Sequence, residues 1–320
     1  VKDDAVGFIK KGADSYIVSV YIANVPVWLD VLQLWHELTS RISTIYLPNK
    51  RYPMLPHGLS QLSSLDTNKD NIAFALDIHI DKFKITKYEY KNVIITINNS
   101  YTYEDKSSYT KRHQYIQLVN VLNWSFSDFN INNNGNYVIK YLMQLFNNQT
   151  FHYCKRNTIG ILKEYLDTHV PCELKDVMCD YKHVKYTTDY KVGCYINSTN
   201  PIRRLVDLLN LMKIQDNMML LNETNQDIRR TIYTYWKKQS QIDYINKTMK
   251  RIRKTEYNTR LIQLFSNNAT MLSKDYTGYI IDKNKDKDTA YSVYIPELKI
   301  SKYLSSNKQL SKFSRHTFKL

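Results

Sequence analysis

The sequence predicts an α+β fold in which strands at the two ends of the chain flank a helical middle. Residues 16–22 are β-branched and aromatic and follow a Gly-Ala-Asp turn, a pattern typical of a strand. Residues 113–124 and 137–151 repeat apolar side chains at steps of three and four, which predicts two amphipathic helices. From about residue 274 the pattern changes to alternating strands. We therefore expect a mixed sheet packed with helices, followed by a smaller β-structure.

The other elements are predicted from local patterns in the same way. In chain order they are a helix within residues 27–45, irregular structure over 48–56, strands over 71–84 and 90–98, a helix from about Leu205 and a long basic helix over 231–265. Apolar spacing predicts the helices, and β-branched content predicts the strands. Proline-rich sequence accounts for the irregular segment, because proline lacks the N–H donor that regular structure needs.

The chain is strongly basic, with 45 Lys and Arg residues against 30 Asp and Glu residues and a formal net charge of +15. Such a surface attracts polyanions, and nucleic acid is the usual partner. No run of 18 or more apolar residues occurs, so we expect no transmembrane helix and no membrane partner. The four cysteines lack zinc-site spacing. They favour free thiols in the cytoplasm or another intracellular reducing compartment.

A compact candidate for phosphate binding occupies residues 195–207. Arg203 and Arg204 follow a proline and directly precede the helix predicted from Leu205. Guanidinium groups bind phosphate oxygens in a planar, often bidentate manner, and a helix N-terminus also favours anions. Arginine pairs at a helix start are also common as solvated residues. We expect Asp207 to orient one of the two arginines through an ion pair.

Further motifs are present in the first third of the chain. Residues 46–60 contain Tyr-Leu-Pro, Pro-Met-Leu-Pro and Leu-Ser in that order, and residues 3–5 are Asp-Asp-Ala. With Pro-Ile-Arg-Arg at residues 201–204, these motifs resemble the catalytic domain of the RNase II/RNase R family of hydrolytic exoribonucleases. The resemblance implies an RNB-type catalytic domain over residues 1–270, with a mixed sheet and helices around an RNA channel. It also implies a partial OB-type RNA-binding barrel over residues 271–320.

The resemblance implies the residues of a site as well. Asp4 and Arg203 would be catalytic, Arg203 by contacting the scissile phosphate, and Asp3 and Asp4 would bind Mg²⁺ or Mn²⁺, two ions being the usual requirement for such hydrolysis. The residues implied to contact RNA are Tyr46, Tyr103, Tyr195 and Arg204. Stacking of a tyrosine ring on a base contributes on the order of 1–3 kcal/mol with little sequence preference. Because the chain has 27 tyrosines, a packed or surface ring is the alternative for each one.

The implied function is 3′-to-5′ hydrolysis of single-stranded RNA to nucleoside 5′-monophosphates. Departures from the family pattern favour a different class, a catalytically inactive RNA-binding or assembly protein on the same scaffold. Val1 stands where the family has an aspartate, Lys140 replaces one of two glutamates, and Asn197 replaces a histidine. Asp3 and Arg203, which match the family, favour the enzyme. An unrelated basic structural protein would require both proline motifs to be coincidental.

Overall fold

The computed structural model describes residues 1–38, 41–101, 112–129, 135–167, 169–175, 177–185, 193–267, 274–283 and 289–319. The strands are β1 (Asp4–Lys10), β2 (Ser15–Ala23), β3 (Ile45–Leu47), β4 (Lys50–Tyr52), β5 (Asp70–Asp81), β6 (Lys84–Thr96), β7 (Ile161–Tyr165), β8 (Cys179–His183), β9 (Tyr195–Ile196), β10 (Asp275–Lys283), β11 (Ala290–Ile295), β12 (Ile300–Ser305) and β13 (Arg315–Lys319). The helices are α1 (Val25–Val31), α2 (His57–Ser63), α3 (His113–Ser125), α4 (Gly135–Asn157), α5 (Leu205–Asn217), α6 (Gln226–Trp236) and α7 (Gln239–Asn267). The predicted α+β class is confirmed.

An antiparallel sheet in the order β1-β2-β5-β6 forms the base of the N-terminal half. Side chains alternate across a strand, so every second residue of β2 and β5 points to the same face. On that face Val18, Val20, Phe74 and Leu76 are fully buried and share one core with residues of α3 and α4, such as Leu122. The sheet therefore presents one face to the two helices, as the apolar spacing of their sequences predicts.

Helix α5 lies at the centre of a second core. Most residues from Leu205 to Gln215 are buried, and α1, α2, α6 and α7 contribute side chains to the same cluster. A helix that is apolar on nearly all sides belongs in an interior. Asn210, a fully buried amide side chain of α5, exchanges hydrogen bonds with the backbone of Ile161 (2.7 and 2.9 Å) and donates to the carbonyl of Asn197 (2.8 Å). These bonds join α5 to β7 and to the segment that precedes Arg203.

The helix predicted within residues 27–45 is shorter than its apolar stripe suggests. α1 ends at Val31, a single 3-10 turn covers Trp35–Glu37, and the chain between them turns through Gln33, whose φ is +54°. The buried Asp30 carboxylate accepts a hydrogen bond from the Trp35 indole N–H at 2.5 Å. This contact stabilises the turn. Leu29 of α1 and Trp35 of the 3-10 turn are therefore both buried, although no continuous helix joins them.

The long basic helix predicted over residues 231–265 is two helices, α6 and α7, separated at residues 237–238. Both bury side chains in the core around α5, including Tyr233 and Trp236 from α6 and Ile242 and Ile245 from α7. In a continuous helix six residues advance by about 600°, so Ile242 would lie about 120° away from the Trp236 face. The break rotates α7 so that its apolar face meets the same core.

Two smaller β-structures complete the chain. Residues 48–56, predicted to be irregular, include strand β4, which pairs with β3 in a hairpin that turns at Pro48 and Asn49. Neither turn residue needs to donate a ladder hydrogen bond, so the proline does not prevent the pairing. Beyond α7, strands β10–β13 form an antiparallel sheet in the order β12-β11-β10-β13, packed on Leu261 and Phe265 of α7. Within the described residues this sheet is open rather than closed into a barrel.

Candidate functional site

The backbone around Arg203 is fixed by contacts with a segment far away in sequence. The carbonyl of Arg203 accepts hydrogen bonds from the Thr44 backbone N–H (2.9 Å) and the Ser43 hydroxyl (3.0 Å). The N–H of Leu205, the first residue of α5, donates to the carbonyl of Ile42 (2.9 Å). These bonds hold the start of α5 against the strand that leads to Tyr46, so two motifs separated by about 150 residues become neighbours.

Asp3 is the direct partner of Arg203. Its carboxylate is 1% exposed, one oxygen accepts a hydrogen bond from the Ile202 backbone N–H (2.9 Å), and the other accepts from Arg203 Nε (2.5 Å). The Arg203 guanidinium also donates to the side-chain oxygen of Asn200. With both carboxylate oxygens engaged, Asp3 holds the guanidinium in one orientation.

Asp4 and Arg203 line one cavity of about 380 Å³. Its other lining residues are Ile139, Lys140, Met143, Thr199 and Asn200. Two cationic side chains and one carboxylate therefore face the same space. A site with this balance of charge attracts an anionic group, and the guanidinium is positioned to bind phosphate oxygens.

The acidic groups of the site resist ionisation. Burial raises the pKa of Asp3 from 3.8 to about 6, against the opposing effect of the Arg203 charge and the hydrogen bonds from Ile202 and Arg203. Burial also raises the pKa of Asp4, and the charge of Arg203 again opposes the shift. Desolvation disfavours the charged carboxylate in both cases. The pair therefore carries a destabilising contribution when both groups are ionised.

This electrostatic arrangement predicts a pH dependence of stability. The folded protein keeps the Asp3 proton to a higher pH than the unfolded chain, so the free energy of unfolding should fall as the pH rises from about 4 to about 6. A shift of about two pKa units corresponds to on the order of 3 kcal/mol. Urea titrations in a chelator should show that this decline is smaller in Asp3→Asn. Parallel pH profiles of the two proteins would contradict the assignment.

Two of the tyrosines predicted to contact RNA, Tyr46 and Tyr103, have different outcomes. Tyr46 is 44% exposed, its hydroxyl is a hydrogen-bond partner of Arg203, and its backbone N–H donates to the Glu256 carboxylate of α7 (2.7 Å). Its ring is therefore placed beside the cavity and remains accessible. Tyr103 lies outside the described residues.

Arg204 and Tyr195 occupy a different cluster from Arg203. Arg204 Nε lies 3.4 Å from the fully buried Asp207 carboxylate, and its guanidinium is also a hydrogen-bond partner of Tyr181. Tyr195 is half-buried, with the ammonium of Lys163 5.5 Å from its ring centre. Neither residue is among the described residues that line the Arg203 cavity. The geometry gives Arg204 an ion-pair partner and Tyr195 a cation–π partner within the protein.

The acidic residues fit a metal ion only in part. Hard cations bind oxygen ligands, and the Asp4 carboxylate lines the cavity without a hydrogen bond from any described residue. The oxygens of Asp3, in contrast, are already engaged by Ile202 and Arg203. The described residues thus offer Asp4 as the available carboxylate for one divalent cation, and metal binding by Asp3 stays a prediction.

Two residues of the cavity were not predicted as site residues. Lys140 lines it from α4, and Asn200 connects it to α5, because the Asn200 backbone N–H donates to Asp207 (2.8 Å) while its side chain contacts Arg203. Of the two, Lys140 is a departure from the family pattern. An unusual residue at a position of the family motif could have indicated a site residue. Only the folded chain shows that Lys140 lies near Asp4 and Arg203.

A separate group of possible metal ligands is found on the β5–β6 hairpin. The ligand atoms of Asp77, His79 and Glu89 all lie within 4.8 Å of one another. Lys91 and Lys87 already pair with the two carboxylates at 2.6 and 2.7 Å, which indicates an ion-pair network. None of the described helices has the length and apolar composition needed to cross a membrane.

Part of the sequence is similar to known proteins. Residues 1–118 match the RNB domain family. A stretch of 110 residues is 32% identical to Ribonuclease R of Mycoplasmopsis pulmonis (strain UAB CTIP), covering 33% of this chain and 15% of that protein. The chain therefore spans a small part of this curated relative.

The fold is shared with solved structures over nearly the whole chain. Mycoplasma genitalium RNase R in complex with ribose methylated single-stranded RNA superposes with a TM-score of 0.65 and 16% identity, over 100% of this chain and 66% of that one. Yeast Ssd1, a pseudonuclease, has a TM-score of 0.65 and 12% identity, over 95% of this chain and 47% of that one. Identities this low establish the fold alone, and the fold occurs in both a ribonuclease and a pseudonuclease.

Proposed function

We propose that this chain, whose residues 1–118 match the RNB domain family, binds the 3′ end of single-stranded RNA and hydrolyses it to nucleoside 5′-monophosphates. The family consists in general of hydrolytic exoribonucleases that use a divalent metal ion. The observation that carries the proposal is that Asp4 and Arg203 line one cavity while the buried Asp3 carboxylate binds the Arg203 guanidinium. A buried carboxylate that orients a guanidinium, beside a second carboxylate, suits an attack on a phosphodiester.

Each residue has a distinct role in this proposal. Arg203 binds the oxygens of the scissile phosphate and stabilises the charge that develops on them. Asp3 keeps the guanidinium in place through its 2.5 Å contact with Nε. Tyr46, exposed and hydrogen-bonded to Arg203, stacks on a base next to that phosphate.

Asp4 is the residue that would hold a divalent cation, Mg²⁺ or Mn²⁺. Such an ion polarises a phosphoryl oxygen and lowers the pKa of a bound water. The raised pKa of Asp4, which burial causes, means that the unoccupied carboxylate binds a proton more tightly than an exposed one. Metal binding at Asp4 therefore displaces a proton, and it does so in a larger fraction of the molecules at acidic pH than at neutral pH.

The experiment uses single-stranded RNA labelled at its 5′ end, incubated with the protein and Mg²⁺ or Mn²⁺. We expect a ladder of shortened products that keep the label, whereas RNA labelled at the 3′ end should release a labelled mononucleotide at once. Chelation of the metal should stop both. An intact RNA under every divalent cation tested, with a protein that still binds RNA, would reject hydrolysis.

The second candidate function is RNA binding without hydrolysis, and Lys140 favours it. Lys140 lines the cavity together with Arg203 and forms no ion pair with a described acidic residue, so its positive charge disfavours a metal ion at Asp4. A cation that replaces a carboxylate at this position strengthens the attraction of the cavity for phosphate. Under this candidate function, the labelled RNA is retained by the protein and not shortened.

Replacing Lys140 with glutamate tests whether the charge of this residue weakens metal binding in the cavity. We expect Lys140→Glu to lower the Mn²⁺ concentration for half-saturation of the RNA-free protein by about tenfold, since one cation is removed and one carboxylate added near Asp4. Electron paramagnetic resonance of bound Mn²⁺ measures this without any need for activity. Lys84→Glu, an exposed residue of β6, makes the same charge change elsewhere and should have no effect. Equal shifts in both variants would contradict a local role for Lys140.

A further inference from the structure

A second cavity, of about 670 Å³, lies between strand β6 and the C-terminal half of helix α4. Tyr88 and Tyr90 line it from the strand. The lining residues from the helix are Gln149, His152, Tyr153, Lys155 and Arg156, and Met218 also lines the cavity. No carboxylate is among its described lining residues. We name this cavity the β6–α4 groove.

The helix presents an ordered row of side chains to the groove. Gln149, His152, Tyr153 and Arg156 are spaced by three, four and seven residues, which places them on one face of α4. His152 and Arg156 are exposed, one turn apart, whereas Tyr153 is half-buried between the helix and the strand. Polar and cationic groups therefore line the outer part of the groove, and tyrosine rings line the inner part.

The aromatic part is held by existing contacts. Tyr90 stacks on Phe74 of the sheet core (ring centres 5.5 Å apart, 9° between planes). Tyr153 meets the Tyr90 ring at 61° with centres 6.2 Å apart, and its hydroxyl accepts a hydrogen bond from Asn217 (2.7 Å). Rings fixed in this way lose little conformational freedom when a ligand binds, so they form a preorganised surface.

The charge of the groove selects an anion. Arg156 forms no ion pair with a described acidic residue, and Lys155 adds a second positive charge beside it. The carboxylate of Asp128 acts on Tyr88 electrostatically, but it accepts the Tyr141 hydroxyl (2.8 Å) and does not line the groove. A guanidinium next to open space binds phosphate oxygens well.

We propose that the β6–α4 groove binds one nucleotide unit, with its base against the tyrosine rings and its phosphate against Arg156. The volume is within the range of small-molecule sites, and the combination of flat rings and cations matches the two parts of a nucleotide. The groove is separate from the Arg203 cavity. Lys140 and His152 are twelve residues apart on α4, about 18 Å along the helix axis.

The nucleotide unit has two sources, a free nucleoside monophosphate or one residue of an RNA strand, and binding experiments separate them. Titration of the protein with AMP, followed by calorimetry, should give saturable binding. Arg156→Glu should raise the dissociation constant at least about tenfold, because it removes a charge-assisted contact and adds a repulsive one. Arg230→Glu, an exposed arginine of α6, makes the same charge change and should leave AMP binding unchanged. Adenosine and inorganic phosphate, each lacking half of the unit, should bind more weakly than AMP.

Competition identifies the source. If a 12-nucleotide RNA displaces AMP and its own affinity falls in Arg156→Glu, the groove holds a residue of the strand; if it does not displace AMP, the groove holds a free nucleotide. The inference is independent of hydrolysis at Arg203, because the part of AMP binding that Arg156→Glu removes should persist in Arg203→Ala. No saturable AMP binding at millimolar concentration, or equal AMP affinity in a folded Arg156→Glu protein, would overturn it.

Discussion

Replacing Arg203 with alanine is expected to reduce the rate of shortening of 5′-labelled single-stranded RNA by at least about 100-fold. The guanidinium is the cationic group that Asp3 and Asn200 orient toward the cavity, so its loss removes the group proposed to stabilise the reacting phosphate. Single-turnover measurements with saturating Mg²⁺ give the rate directly. Arg203→Lys should recover only part of it, because an ammonium cannot reproduce the planar, bidentate contact.

The control for this prediction must separate chemistry from folding. Arg203→Ala strands the buried Asp3 carboxylate, which costs stability, so circular dichroism must first show that the variant is folded. Arg230→Ala removes an arginine from the exposed surface of α6 and should keep the wild-type rate. Shortening at the wild-type rate by a folded Arg203→Ala protein would show that the cavity does not perform the reaction.

The sequence predicted the fold correctly where a single residue pattern determined a single helix or strand. Strand β2 and helices α3, α4 and α5 lie where β-branched content or apolar spacing placed them. The single helices predicted within residues 27–45 and over 231–265 were wrong in length, because apolar spacing alone does not specify the core into which the side chains pack. Tertiary contacts decided both cases, through the bond between Asp30 and Trp35 and through the rotation of α7 relative to α6.

In the candidate site as well, the sequence alone could not assign the role of each residue. Arg203 and Arg204 are adjacent and carry equal weight in the motif, yet one lines the cavity and the other pairs with Asp207. Arg204 has extended backbone angles (φ −142°, ψ 122°), and side chains alternate along extended chain, so neighbours point in opposite directions. The role of Lys140 could not be predicted at all, since it depends on how α4 packs over the sheet.

Replacing Arg229 with methionine is expected to cause the largest loss of stability, about 3–5 kcal/mol in the free energy of unfolding. Arg229 is 2% exposed and pairs with Asp30 (2.8 Å) and Asp216 (2.9 Å), while also donating to the carbonyl of Asn222 (2.9 Å). Methionine fills a similar volume but leaves two largely buried carboxylates without their cation. Urea unfolding at neutral pH measures the change.

A matched comparison distinguishes burial from the ion pair itself. Lys213 also pairs with Asp216, at 3.4 Å, but its side chain is 25% exposed, so Lys213→Met should cost less than about 1 kcal/mol. The triad joins α1, α5 and α6 around the helix that begins directly after Arg204. In Arg229→Met we therefore expect RNA shortening to decline in step with the folded fraction. Equal stabilities of the two variants would contradict the stabilising role assigned to the buried Arg229 ion pairs.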